Sequence, residues 1–381
     1  MTFTVLAIIL VASLLGPLLA LPRRWRLPVV LGELIAGLIL GRSGFGVLDA
    51  TDPQFTALAD IGFGLVMFVA GTHVPVRDAR LRADLGPGAL RAGAVGLVGV
   101  PLGLALAALS GTGHGALYAV LIASSSAALI LPAVESLKLE GPPVLALLPQ
   151  IAIADTACIV ALPLVINPAH AGRAAVGAAL VIGTGGLLYL VLATLDRRGV
   201  RRRLHRLSAQ RRYALELRIN LILLCGLAAL ALWGHVSIML AGFVLGLAIA
   251  AVGEPHRLAR QMFGITQGLF GPVFFVWLGS SLALGDLVDH PKLALLGLAL
   301  GLAAVAAHLL PSLWGQPGPY GLLAAAQLGV PVAAATVGDQ LGVLVPGESS
   351  ALILGSLITL AATTLGGSRA ARTQERDAQP A

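Results

Sequence analysis

Residues 143–167 read PVLALLPQIAIADTACIVALPLVIN, a run in which Asp155 is the single formally charged side chain. A helix at the surface of a soluble protein carries a polar stripe, whereas this one is apolar all round. It is also long enough to cross a hydrocarbon core of roughly 30 Å. About twelve residues separate Asp155 from either end of the run. A carboxylate at that depth costs roughly 2.5–3.5 kcal/mol on insertion scales and is read by default as a functional group.

The rest of the chain has the same character. Its 381 residues are 57% hydrophobic and 11% charged, with a mean hydropathy of +0.91. Soluble domains carry roughly 25% charged residues, so this composition cannot cover a water-facing surface. The pattern predicts an all-α polytopic membrane protein of about 13 transmembrane helices. The membrane domain spans 1–366, contains a basic cytoplasmic linker at 194–218, and is followed by a short tail at 367–381.

The net charge of +7 does not signal nucleic acid. With the N-terminus outside, 22 of the 25 Lys and Arg residues fall in cytoplasmic connections, and only Arg42, Arg173 and Lys292 lie outside. That asymmetry predicts an outside N-terminus and a cytoplasmic C-terminus, in a multi-pass protein of the plasma membrane. Arg23, Arg24 and Arg26 follow the first apolar core rather than precede it, which predicts a retained helix and not a cleaved signal. Cys158 and Cys225 lie in apolar runs without metal spacing and are expected to be buried, inert thiols. Gly93, Gly96, Gly99 and Gly103, and later Gly242 and Gly246, are expected to bring helices close together.

Six segments precede the seventh and six follow it, so the two halves would be inverted repeats. In the fifth segment Ser124, Ser125 and Ser126 precede Pro132; in the twelfth, Gln327 precedes Gly329 and Pro331. Hydroxyls that compete for backbone and prolines that remove a donor interrupt helices. Interruptions at matching positions of two halves point to a transporter's binding site, where unwound backbone offers carbonyls to a cation. His308, in the eleventh segment, is a possible charge-compensating group, since imidazole changes charge near neutral pH. Glu33 lies about six residues inside the second segment and could face either the pathway or a neighbouring helix.

These stretches together resemble the monovalent cation/proton antiporters, in the branch of sodium/proton exchangers and potassium-efflux systems. Leu27 to Gly41, with Glu33, resembles the second-helix signature, and Met67 to Gly71 the third. Ser124 to Pro132 resembles the interrupted helix, Gln150 to Ala157 the helix of the ion-binding acid, and Gly271 to Gly279 a later signature. The resemblance implies two crossed, interrupted helices in a core that moves against a dimerisation domain, usually in a homodimer. Asp155 would bind proton and cation in competition, helped by Ser124, Ser125, Ser126 and Thr156. Where many members carry an acid, Asn or Gln before that residue, this chain has Ala154. One acid implies one-for-one, electroneutral exchange, unless His308 also gives up a proton. The fifteen residues after the last segment leave no room for the nucleotide-binding domain of potassium-efflux members, so none is expected.

The expected partners are sodium or potassium ions, protons and lipid, with no cofactor. No nucleophile or metal set lies at one depth, so an enzyme is not expected. A channel would need no titrating acid. A transporter coupling an organic solute to protons or cations shares the same physics and is the alternative.

Overall fold

In lipid a backbone must satisfy its own N–H and C=O groups, and the apolar runs accordingly fold as helices. The computed structural model describes residues 2–21, 29–74, 76, 85–168, 171–200, 214–234, 236–253, 256–282 and 284–377. No strand occurs among them. The order is α1 (Phe3–Ser13), α2 (Leu15–Ala20), α3 (Val29–Leu40), α4 (Pro53–His73), α5 (Leu85–Ser110), α6 (Gly115–Ala123) and α7 (Ala127–Ser136). Next come α8 (Pro142–Ile166), α9 (Ala171–Arg197), α10 (Leu215–Trp233), α11 (Ile238–Val252) and α12 (His256–Ile265). A π-helical turn, Thr266–Phe270, leads into α13 (Gly271–Ser281), followed by α14 (Leu284–Asp289) and α15 (Pro291–Leu309). The membrane part closes with α16 (Gly318–Ala324), α17 (Gly329–Leu341) and α18 (Glu348–Asp377).

Among the described residues, ten helical stretches are long and apolar enough to cross a membrane, and α3 and α11 are shorter apolar helices. The run expected at 114–136 is split into α6 and α7. Much of the arginine-rich linker (201–213) and the basic run at 22–28 lie outside the described residues.

Helix starts follow local chemistry. Asp52 caps α4 by accepting from the N–H groups of Gln54 and Phe55, with Pro53 in the first turn. Ser237 accepts from Met239 and caps α11 in the same way.

The helices pack in two groups. In one, α4 lies against α11 and α13, α13 against α3, and α10 against α11. In the other, α5 packs on α6 and α8, and α18 on α15, α16 and α17. Between them α9 touches both α8 and α11, and α4 meets α7. Glycine sets the closest approach: a Cβ at Gly246 would lie 2.1 Å from the Phe68 carbonyl oxygen, and one at Gly242 2.3 Å from that of Gly64. The other stripe is used only in part. Gly99 and Gly103 meet Ala119, whereas Gly93 and Gly96 face open space.

Two expectations need correction. Cys225 is exposed, not buried, because it shares with Ile222, Gly226 and Ala229 a side of α10 that no helix of the described residues covers; Cys158 is buried as expected. The last helix runs past residue 366 to Asp377. Ala370 and Ala371 are buried there. The Gln374 amide donates to the Lys138 carbonyl at 3.2 Å and accepts from the Glu140 N–H at 3.1 Å. The end of α18 is thereby clasped to the loop between α7 and α8.

Candidate ion-binding site

The first break lies where α6 ends at Ala123 and α7 begins at Ala127. Ser124 takes an extended conformation (φ −71°, ψ 151°), and all three serines are buried. The Ser124 hydroxyl donates to the Leu121 carbonyl at 2.8 Å, which also accepts the Ser124 N–H at 3.1 Å, so the residue closes the helix end twice. Pro132 lies on α7, and its side chain is outside the described residues.

The second break runs from Ala325 to Leu328, between α16 and α17. Its Gln327 is 4% exposed. The Gln327 amide donates to the Ser124 carbonyl at 3.1 Å and the Ile122 carbonyl at 3.4 Å. In return the Ser125 hydroxyl donates to the Ala324 carbonyl at 2.7 Å. Each break therefore caps the C-terminal end of the other's half-helix, which fixes the crossing. Gly329 and Pro331 follow directly, buried in the first turn of α17.

Asp155 comes to this crossing from α8. It is buried, and its Oδ2 accepts the N–H of Ala127, the first residue of α7, at 2.9 Å. A helix start carries a partial positive charge, so the carboxylate sits where its own charge is favoured. Its Oδ1 accepts no hydrogen bond from the described residues, and no Lys or Arg pairs with it among them. The ends of α6 and α16, which carry partial negative charge, meet at the same place. A carboxylate oxygen and a serine hydroxyl are ligand types that suit a hard monovalent cation or a proton.

Ser126 directly precedes Ala127 and is buried. It lines a cavity between the helix groups, with Leu328 and Gly329 on one side and Phe63, Met67 and Gln267 on the other. Phe63 also borders a second cavity that holds Asp60. Thr156 follows Asp155 on α8 and takes no part in this network.

The other sequence candidates lie apart from it. His308 is buried on α15, and its Nδ1 donates to the Ala304 carbonyl at 2.9 Å within its own helix. Glu33 is buried on α3 with its side chain against Gly16 of α2, on the other helix group.

One acid escaped the sequence reading. Glu348 is not among the sequence candidates, yet it opens α18 fully buried. The charge is offset by donors from Tyr118 at 2.6 Å, His114 at 2.7 Å and the Val345 N–H at 2.9 Å. An acid just ahead of a long apolar run, where a helix start favours negative charge, was the available signal.

Two broken helices thus cross beside a buried carboxylate inside an apolar helical bundle. The chain belongs to the sodium/hydrogen exchanger transmembrane family, which matches residues 9–368. It is 24% identical to YjbQ of Bacillus subtilis, over 93% of this chain and 60% of that protein. It is 31% identical to the glutathione-regulated potassium-efflux system protein KefC of Cronobacter sakazakii, over 69% of this chain and 42% of that one. The chain thus spans less than two thirds of either relative. Its fold is similar to that of the sodium proton antiporter MjNhaP1 from Methanocaldococcus jannaschii (TM-score 0.67, 17% identity, 97% of each chain covered).

Proposed function

We propose that the protein is a secondary antiporter that exchanges protons for sodium or potassium ions by alternating access, with Asp155 as the shared carrier. The observation that carries this reading is the buried Asp155 carboxylate, held on the Ala127 N–H where two broken helices cross. In apolar surroundings a bare carboxylate is disfavoured, so the site is neutralised either by a proton or by a cation. The two exclude one another at a single group. Only a neutralised site crosses the apolar barrier cheaply, and that couples the two flows.

In this account Asp155 and Ser126 make the first contacts, Ser124 and Ser125 hold the break beside them, and Thr156, outside the hydrogen-bond network, is the neighbouring hydroxyl on α8. The group holding α5–α8 and α15–α18 moves against the group of α1–α4 and α10–α13, and the Ser126 cavity lies on the sliding surface. The fuller picture is thirteen crossings in two inverted halves, a homodimer in the plasma membrane, an outside N-terminus and a cytoplasmic C-terminus. The basic connections support that orientation. With one acid, exchange is one-for-one and electroneutral. His308, bonded within its own helix, contributes no second proton in this scheme.

The test is exchange in proteoliposomes under an imposed pH gradient, offered lithium, sodium and potassium in turn. Wild type should move protons in response to one or more of these ions, with little dependence on membrane voltage. Asp155→Asn should fold normally and move none. Retained exchange in that variant removes Asp155 from the mechanism.

A further inference from the structure

The cavity at Ser126 has an outer neighbour that competition at Asp155 does not explain. Asp60, Phe63, Ser237, Thr336 and Gln340 help to line this second cavity, of about 120 Å³; the one at Ser126 holds about 40 Å³. One water needs roughly 10–15 Å³ of such space, so the outer cavity has room for an ion with several waters. Asp60 is half-buried on α4, which starts at Pro53. At 1.5 Å per residue it lies about 10 Å inside the helix start. A carboxylate at depth is costly without a partner. Yet the side chains of Asp60, Thr336 and Gln340 make no hydrogen bond or ion pair with the described residues, and no Lys or Arg among those residues lines the cavity.

The two cavities are strung along one seam. On α4, Asp60 and Phe63 face the outer cavity, while Phe63, Val66 and Met67 face the inner one. On α17, Gly329 and Val332 face the inner cavity, while Ala333, Thr336 and Gln340 face the outer one. Both runs keep the three- or four-residue spacing of a single helix face. The seam therefore lies between α4 of one helix group and α17 of the other. Among the described residues only Phe63 borders both cavities. Its ring stacks on Phe274 at 4.8 Å and 13°. An apolar ring pair thus separates an unpaired carboxylate from the ion site.

We propose that the Asp60 cavity is a second cation site, which captures a hydrated monovalent cation at the outer end of the α4–α17 seam. The Asp60 carboxylate supplies the charge, and Ser237, Thr336 and Gln340 offer oxygens to the ion's water shell. An ion held through its waters is held loosely, so direct contact is left to Asp155 and Ser126 and the ion can move on. A negative group in a cleft with low-dielectric walls raises the local cation concentration. In the orientation given by the basic connections, the cavity opens to the outside. Its effect on transport rests on the exchange reading above, whereas capture at Asp60 does not.

Two measurements test it. In proteoliposomes, Asp60→Asn should raise the KM for cation on the outside about fivefold, the effect of one unit charge about 4 Å from the ion in water. The inside KM and the maximal rate should match wild type, and Asp60→Glu, which keeps the charge, should restore the outside KM. The second measurement labels Thr336→Cys from the outside, in a Cys225→Ser background; the remaining Cys158 is buried. Relative to a free thiol, a cationic methanethiosulfonate should react several-fold faster than an anionic one of similar size. Sodium or potassium should slow it, and N-methyl-D-glucamine should not. Adding Asp60→Asn should erase both the preference and the protection. An unchanged outside KM in Asp60→Asn overturns the proposal, as do a rise confined to the inside KM and equal rates for the two reagents at Thr336→Cys. If wild type exchanges no ion, the exchange reading fails while the labelling still decides this one. If Asp60→Asn fails to fold, protection of Thr336→Cys by sodium or potassium carries the test, and its absence overturns the proposal.

Discussion

At the first break three hydroxyls and a carboxylate surround the unwound backbone. At the second the chain turns through Ala325, Ala326, Gln327 and Leu328, with a single polar side chain. Both are buried, and both leave helix-end carbonyls without intrahelical partners. The first break meets that demand partly from its own side chains, since Ser124 bonds back to Leu121. The second gives its Gln327 to the other helix and receives Ser125 in exchange. On the proposed reading the difference assigns separate jobs: the first break holds the chemistry, and the second holds the first in place.

Substitutions can break that division, and the largest effect belongs to the carrier. Asp155→Asn should abolish exchange while leaving the melting temperature close to wild type, since the amide oxygen can still accept from Ala127. Gln327→Leu comes next. It leaves two buried carbonyls without a donor, each worth about 1–3 kcal/mol, so it should lower thermal stability measurably and transport with it. Ala127→Pro is subtler. Proline is tolerated in the first turn of a helix, so α7 should persist while the N–H that Asp155 accepts is lost. Apparent cation affinity should fall about tenfold, in line with a hydrogen bond to a charged group. Ser125→Ala should cost about 1 kcal/mol in unfolding and little in ion affinity. If Ser125→Ala weakens ion binding more than Ala127→Pro does, the two breaks do not divide the work as described.

Much of this was legible in the sequence because bilayer physics leaves few choices. Apolar runs had to be helices, and Asp155 stood out as a charge with no nearby helix end. The serine triplet and the Gln327–Pro331 stretch marked both breaks, since those residue types disrupt helices wherever they occur. The reciprocal capping was not legible, because Ser125 and Ala324 are 199 positions apart and meet only through the crossing. Nor was the N–H that holds Asp155, because backbone donors carry no residue signature. Glu348 was misjudged for a related reason. It stands beside a turn, and its side-chain donors, Tyr118 and His114, lie 230 and 234 positions away. His308 shows the converse: a lone histidine in a span satisfied itself on its own helix.

Asp155 stays the centre of the account, and competition at that one carboxylate can be measured without a membrane. Purified protein in weakly buffered detergent is titrated with sodium, and then with potassium, while released protons are followed with a pH dye. Wild type should release about one proton for each cation bound, because an ion can enter only as the proton leaves. Asp155→Asn should release none. Cation binding without proton release by wild type, or release that persists in Asp155→Asn, would contradict a single shared carrier.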